Sequence, residues 1–453
     1  MMLRRILIAN RGEIAVRIIR TCERLGLETI LAASEADLGS VAARRASRVI
    51  CIGSAPSAAS YLNIDAIIDA ARSGGADAIH PGYGFLSENA KLAQACEAAG
   101  LVFIGPTPAQ LKAVGDKLKA RGHALAAGLP VVPGGEAGSP EELAVLAARI
   151  GYPVLIKAVG GGGGRGMKQV HSAAQLAESM DLAIAEASAA FGDPRVYVER
   201  YVASGRHVEV QVIGDGHDVV HLGTRDCSIQ RRYQKLIEEA PAPLLPDPLR
   251  EEMHLAAVAL GKHLRYRGLG TVELLLDCER GGFYFLEMNA RIQVEHPVTE
   301  AICGLDLVAE QIAVAEGRRL SFTQDQVRFS GHAIECRINA EDWARGFQPS
   351  PGRVTRARFA AGTGIRVDTH IQAGTDVPPY YDSLMAKLII HDRDRPAALA
   401  RLSDALRRCD IQGVSSTLAM HAELVQTPEF TAGGVTTAYF DRFLRAHAGS
   451  PGS

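Results

Sequence analysis

The chain has 453 residues, 47% of them apolar and 22% charged, with a formal net charge of −2. That is enough for two or three domains with real cores and is ordinary for a soluble globular protein. It excludes nucleic acid as a default partner, since no segment is strongly basic, and no apolar run is long enough to span a bilayer. Eight scattered cysteines show no CxxC and no metal-ligand spacing, and the opening Met-Met-Leu-Arg-Arg-Ile lacks the apolar core of a signal peptide. Both point to free thiols in a reducing compartment, the cytoplasm.

Residues 3–9 predict a buried strand, followed by Asn10-Arg-Gly-Glu13 and a helix from Ile14. Strands near Thr29–Ala33, Arg48–Ile52 and Ala76–Ile79 alternate with Ala-rich helical segments, the pattern of a doubly wound parallel sheet. The single Gly12 after the first strand is not a G-x-G-x-x-G fingerprint, so this sheet does not imply NAD. Near residue 115 the texture changes, and Pro130–Pro140 reads as a turn-rich connector. Strands Pro153–Val159 and Met167–Val170 flank five glycines, Gly160 to Gly164, with Lys157 before and Arg165 after them. Glycines carry no Cβ to keep backbone N–H groups from a bulky anion, so the run predicts a mobile hairpin lid over a triphosphate. It is not a Walker A loop, which needs Gly-Lys-Ser/Thr and a following helix.

Farther along, Arg231, Arg232 and Lys235 place three cations within five positions, the look of an anion site. Cys227 has no histidine near it in sequence and reads as a buried structural thiol. The segment Gly282–Arg291 predicts a strand with Phe285, Glu287, Asn289 and Arg291 on one face, and Tyr284, Leu286 and Met288 on the core face. Glu287 and Asn289, with Glu273 from the preceding strand, offer hard oxygen ligands suited to Mg²⁺. Either glutamate alone reads as a solvated polar face; with Arg291 and the glycine lid the metal reading prevails. In the loop Ile292–Glu300, Glu295 and His296 are both possible bases, and Pro297 forces His296 into extended backbone. A smaller mixed segment follows from Gly331, with strands near His332–Asn339 and Leu384–His391 and a helix near Pro396–Arg408.

Several long motifs stand together here: Ala9–Ala15, His80–Asn89, Gly115-Asp-Lys117, the glycine run, Arg225-Asp-Cys-Ser228, Glu238–Pro243, Glu287–Pro297, Gly331–Asp342 and Pro378–Ser383. On these the chain resembles the biotin carboxylases of the ATP-grasp superfamily, almost end to end. The resemblance implies an α/β and α+β architecture: an N-terminal doubly wound domain (1–114), an ATP-grasp domain (115–330) with a lid at about 131–202, a C-terminal biotin carboxylase domain (331–446) and a disordered tail (447–453).

It also implies roles. Lys117 and Lys157 would hold ATP phosphates with Gly163 and Gly164 closing over them; Glu199, Arg200, Tyr201 and Val202 would form the adenine hinge, and His207 and Tyr233 would contact nucleotide. Glu273, Glu287 and Asn289 would hold Mg²⁺ (or Mn²⁺). Lys235, Arg291, Gln293 and the Val294 backbone would bind bicarbonate, Glu295 would be its base, and Arg337 would face biotin. The partners implied are a biotin carboxyl carrier protein and carboxyltransferase subunits on other polypeptides, with a homodimer as the assembly and no membrane. The final acceptor, acetyl-CoA or another acyl-CoA, stays open.

Two positions depart from the family. Tyr233 stands where His is usual, a swap that keeps a hydrogen-bonding tip on an aromatic body and predicts re-tuned ATP binding; Thr224 replaces a common glutamate. The competing readings are another ATP-grasp carboxylate–amine ligase and an inactive nucleotide-binding subunit. Retention of Glu295, Lys235, Arg291 and Arg337 counts against both.

Overall fold

Strands β1 (Arg5–Ile8), β2 (Glu28–Ala33), β3 (Arg48–Cys51), β4 (Ala78–His80) and β5 (Val102–Phe103) form an all-parallel sheet in the order β3-β2-β1-β4-β5. In β1, Leu7 packs into one core, and Ile6 and Ile8 into another on the opposite face. Burial on both faces is why the strand reads as a continuous apolar run, and it confirms double winding. The computed structural model describes residues 2–136, 139–160 and 167–447. Gly161 to Gly166 lie outside the described residues, and with them the expectations for Gly163, Gly164 and Arg165, as do residues 448–453 of the expected tail.

A second sheet of four strands, ordered β6-β9-β7-β8, comprises β6 (Gly134–Glu136), β7 (Val154–Ala158), β8 (Met167–Val170) and β9 (Val196–Arg200). Lys157 of β7 pairs with Met167 of β8, so the glycine run joins an antiparallel hairpin as expected. Helices Pro140–Ile150 and Ala173–Phe191 cover one face through Leu143, Leu146, Leu176 and Met180.

The third sheet positions the site. Its strands are β10 (Gly205–Asp215), β11 (Val219–Arg231), β12 (Gln234–Ala240), β13 (Arg267–Asp277), β14 (Gly282–Asn289), β15 (His332–Asn339), β16 (Ile365–Thr369) and β17 (Leu384–Asp392). They run in the order β14-β13-β10-β11-β12-β15-β17-β16, so the sheet continues through the expected boundary at 330/331 by way of the β12–β15 pairing. Helix His296–Cys303 lies against β15 and β17 through Val298, Ile302, Ala333 and Ile389. Among the described residues no helix is long and apolar enough to cross a membrane.

Three expectations fail locally. Between Glu273 and Leu274 the β13–β14 register slips by one residue, so Glu273 faces Glu287 while Leu274 faces Phe285, with Leu286 as the extra residue. A bulge of this kind reverses the alternation beyond it. Phe285 therefore enters the core with Val272, Leu274 and Met288, whereas the Tyr284 hydroxyl accepts a 2.5 Å bond from Arg200 Nη2. The strand ends at Asn289, leaving Arg291 outside it. His296 is not extended: it starts the helix, with Pro297 in the first turn, where a missing N–H costs nothing.

Candidate active site

β10 reads His207-Val-Glu209-Val-Gln211-Val, polar at every second position. The valines enter the apolar core, and the polar side chains turn to the opposite face. Register places Arg225, Glu209, Glu273 and Glu287 in one row across β11, β10, β13 and β14. Directly opposed residues share a face, so one cation and three carboxylates line a single stripe. One step along, Gln211, Thr271 and Asn289 form a second row.

Lys235 Nζ crosses this stripe, donating to Glu209 at 2.6 Å, Glu273 at 3.0 Å and Glu295 at 2.6 Å. Behind it Arg225 is fully buried and directs its N–H groups to Glu209, Gln211, Thr299, Thr271 and Gln293 at 2.5–3.1 Å. Gln293 in turn donates to Glu273 at 2.9 Å. Glu295 caps the other side: one oxygen takes Lys235, and the second takes Arg337 Nη2 at 2.8 Å. Burial pushes the Glu295 carboxyl up, but Lys235, Arg337 and Arg225 together hold it well below the ordinary range. It is therefore an anion in the folded protein.

The nucleotide-side residues gather at the other end. Lys157 is ion-paired with Glu199, and Lys117 opens helix Lys117–Ala126 close enough to feel Glu287, Lys157, Glu199 and Glu273. Arg200, which ends β9, lies 3.8 Å from Asp277 and is followed by Tyr201 and Val202. His207 Nε2 sits 3.1 Å from Glu273; burial disfavours its cation, yet Glu273 outweighs that and raises its pKa. Arg291 donates to Glu88 at 2.9 Å and to Asn289 Oδ1 at 2.7 Å, while the Val294 carbonyl accepts Lys387 at 2.8 Å.

The expected metal ligands fit a divalent cation. Glu287 makes no hydrogen bond or ion pair among the described residues, and burial plus the facing Glu273 raises its carboxyl, a repulsion that a cation would relieve. The Asn289 amide oxygen accepts from Arg291 and keeps a second lone pair to offer a cation. Three hard donors so arranged suit Mg²⁺.

Other expectations from sequence are sorted differently. The three-cation anion site does not exist as such: only Lys235 enters the stripe. Arg231 stacks 4.1 Å from the Phe347 ring centroid and bonds Gly346, and Arg232 is exposed. The reason is the turn: Arg232 and Tyr233 form a two-residue hairpin tip, both with positive φ (48° and 66°), which points them away from the sheet face. Tyr233 is 56% exposed. Cys227 lies beside Glu209 and Glu295, and burial with Glu209 pushes its thiol well up, so it is neutral and inert. His296 is buried; burial and Lys387 lower it well below the usual imidazole range, and it bonds the Gln293 carbonyl, so it is no base. Thr224 is buried and accepts a bond from the Ala242 N–H.

Sequence reasoning missed Glu209, Gln211 and Glu88. The strict alternation of β10 was the available signal for the first two; Glu88 reaches Arg291 across 203 positions and left none.

Three family matches tile the chain: Biotin carboxylase, N-terminal domain over residues 2–111, Carbamoyl-phosphate synthase L chain, ATP binding domain over 116–323, and Biotin carboxylase C-terminal domain over 335–442. A biotin carboxylase of Nostoc sp. is 50% identical over 96% of this chain and 98% of its own length. The chain belongs to the biotin carboxylase family. Its activity is accordingly that of an ATP-dependent ligase that carboxylates biotin. The biotin carboxylase of Pseudomonas aeruginosa is 48% identical over 98% of this chain and 99% of its own. Among solved structures, the biotin carboxylase domain dimer of Hydrogenobacter thermophilus 2-oxoglutarate carboxylase, in complex with MgADP, ADP and bicarbonate, superposes with a TM-score of 0.95 at 43% identity over all of both chains. The biotin carboxylase of Campylobacter jejuni gives 0.94 at 45% identity, covering 97% of this chain and 99% of that one.

Proposed function

We propose that the Lys235–Glu295–Arg337 cluster carries both steps of biotin carboxylation, the activation of bicarbonate and the transfer of CO₂ to biotin. In this reading Lys235, Arg291, Gln293 and the Val294 backbone hold bicarbonate, and Glu295 removes its proton. The single observation that carries the assignment is Glu295, a buried anion bonded by Lys235 on one oxygen and Arg337 on the other. A carboxylate so placed takes a proton without leaving an unpaired charge behind. Lys117, Lys157, Gly163, Gly164 and His207 serve the phosphates, and Glu199 to Val202 together with Tyr233 the base. Mg²⁺, bound by Glu273, Glu287 and Asn289, supplies countercharge for phosphoryl transfer. The deprotonated bicarbonate attacks the γ-phosphorus as ADP leaves, giving carboxyphosphate; this splits into CO₂ and phosphate, the phosphate takes the biotin N1′ proton, N1′ bonds CO₂, and Arg337 steadies the ureido oxygen.

Biotin enters, in this reading, through a cavity of about 310 Å³ between the N-terminal sheet and the strand β17 region, lined by Arg11, Glu13, Tyr83, Phe85, Tyr381 and Asp382. The Tyr83 phenol is close enough to Arg337 to feel its charge. We place the biotin on a separate carboxyl carrier protein and the second half-reaction on carboxyltransferase subunits. The chain works as a homodimer in the cytoplasm and divides at 114/115 and 330/331, consistent with the spans of the three family matches. The test is ADP release from Mg-ATP and bicarbonate with and without free biotin. Biotin-stimulated, bicarbonate-dependent turnover that collapses in Glu295→Gln supports the reading; full turnover in that variant refutes it.

A further inference from the structure

Two buried acids behind Arg337 have no part in the chemistry above. Glu238 on β12 and Glu335 on β15 are directly opposed in register, and neither is exposed to solvent. Residues so paired carry their Cβ atoms roughly 5 Å apart on one face. Their surroundings differ. Glu238 Oε1 receives both Arg337 Nε at 2.6 Å and Arg337 Nη2 at 2.5 Å, while its Oε2 has no hydrogen-bond partner among the described residues. Glu335 has no hydrogen-bond partner on either oxygen among the described residues. Beside it Ala333 and Ile389 pack with Val298 and Ile302, an apolar cover.

The guanidinium is thus held from two sides, by Glu238 behind and Glu295 in front, and its backbone carbonyl is held by Thr417 at 3.2 Å and His421 at 2.6 Å. We propose that Glu238 is a positioning residue that aims Arg337, and that Glu335, its cross-strand neighbour, sets the conditions under which that clamp holds.

The reasoning is electrostatic. An ionised Glu335 would face Glu238 in a dry pocket with no donor on either oxygen, a cost that protonation removes. A neutral Glu335 leaves Glu238 free to be the anion that Arg337 needs. The charged and titratable groups around the pair are Arg337 on β15, Lys387 on β17, Lys235 on β12, and Glu295, His296 and Glu300 at the covering helix. Lys387 is bonded to Glu13 at 3.0 Å and to the Val294 carbonyl, and Glu300 to Arg17 and Arg366. None of these cations contacts Glu335. The directions agree with this geometry: burial raises Glu335 well above the ordinary carboxyl range, with Lys387 opposing, and it lifts Glu238 to about 7 against the pull of Arg337. Glu238 therefore ionises, and the clamp tightens, as pH rises through neutrality.

This rests on the assignment of Arg337 to biotin, so the experiment separates the two. In the full-length protein, Glu238→Gln is expected to lower biotin-dependent kcat at least tenfold with the KM for ATP within twofold, and to remove the limb of the kcat–pH profile near 7. Glu335→Gln, an isostere of a protonated acid, is expected to keep kcat within twofold and to retain that limb. An infrared band of a protonated carboxyl, present in wild type above pH 7 and absent from Glu335→Gln, reads the same state without turnover. Wild-type kcat and pH profile in Glu238→Gln overturn the positioning role. A Glu335→Gln loss equal to that of Glu238→Gln, or absence of the infrared band in wild type, overturns the role of Glu335. Full biotin-dependent turnover in Arg337→Met instead sinks the assignment of Arg337 itself, whatever the acids do. If Glu238→Gln does not fold, the infrared band and Glu335→Gln still decide the Glu335 half, and Glu238→Asp, which shortens the reach by one methylene, must reproduce the kcat loss.

Discussion

Arg225 is the side chain whose loss has the most clearly defined consequence. It is fully buried and makes five hydrogen bonds, one to the carboxylate of Glu209 and four to the neutral oxygens of Gln211, Thr271, Gln293 and Thr299. Arg225→Met fills the space with a side chain that donates nothing. Each buried acceptor left bare costs about 1 kcal/mol or more, and removing one partner of a buried ion pair typically costs ~3–5 kcal/mol in all. Glu209 keeps its second partner, Lys235 at 2.6 Å, so the lower half of that range applies. Against an unfolding entropy of roughly 2.1 cal/mol/K for each of 453 residues, a loss of about 3 kcal/mol corresponds to a fall of about 3 °C in the midpoint of thermal unfolding. Differential scanning calorimetry without nucleotide measures it. Arg225→Lys, which keeps the charge but not the planar fork, should fall between. Turnover should drop further than stability alone explains, because Arg225 also anchors Gln293 and lowers Glu295. A midpoint within about 1 °C of wild type with turnover intact would refute the view that this buried cation organises the site.

Lys235→Met leaves Glu209, Glu273 and Glu295 facing one another without their shared cation; turnover should fall by about 100-fold or more, and rates near wild type would contradict its assigned place. Tyr233→His is expected to change the KM for ATP by about threefold while kcat stays within about twofold, given an exposed position at the hairpin tip and typical differences of under 1 kcal/mol at such sites; unchanged steady-state constants would show that the residue does not tune nucleotide binding. The buried histidines predict a pH dependence of stability. Burial lowers His80 and His370 to about 3, and His221, His254 and His421 to about 4. Unfolded histidine takes a proton near 6.5, so the stability present above that pH is lost as pH falls through 6.5 toward 4 and then 3. Urea midpoints between pH 7.5 and 4.5 should decline, less steeply in His221→Phe; parallel curves would refute the contribution of His221.

Much of this protein was legible in one dimension. The parallel N-terminal sheet followed from short apolar strands alternating with helices, because a strand buried on both faces has no polar positions to spare. The Gly-rich hairpin, β15 and the carboxylates Glu273, Glu287 and Glu295 could be read from local spacing, since each depends on a periodicity of two or on a short motif. What failed was whatever a register or a turn decides. The bulge at Leu286 reversed Tyr284 and Phe285, and the left-handed tip at Arg232 and Tyr233 turned a cluster of three cations into one inward lysine. The clamp on Arg337 and the Glu88–Arg291 pair join residues 99 and 203 positions apart. Only tertiary structure decides such contacts. Which strand lies beside which is set by the burial of apolar faces across the whole sheet, and the charges, once brought into that dry interior, must find whatever partner the register puts opposite them.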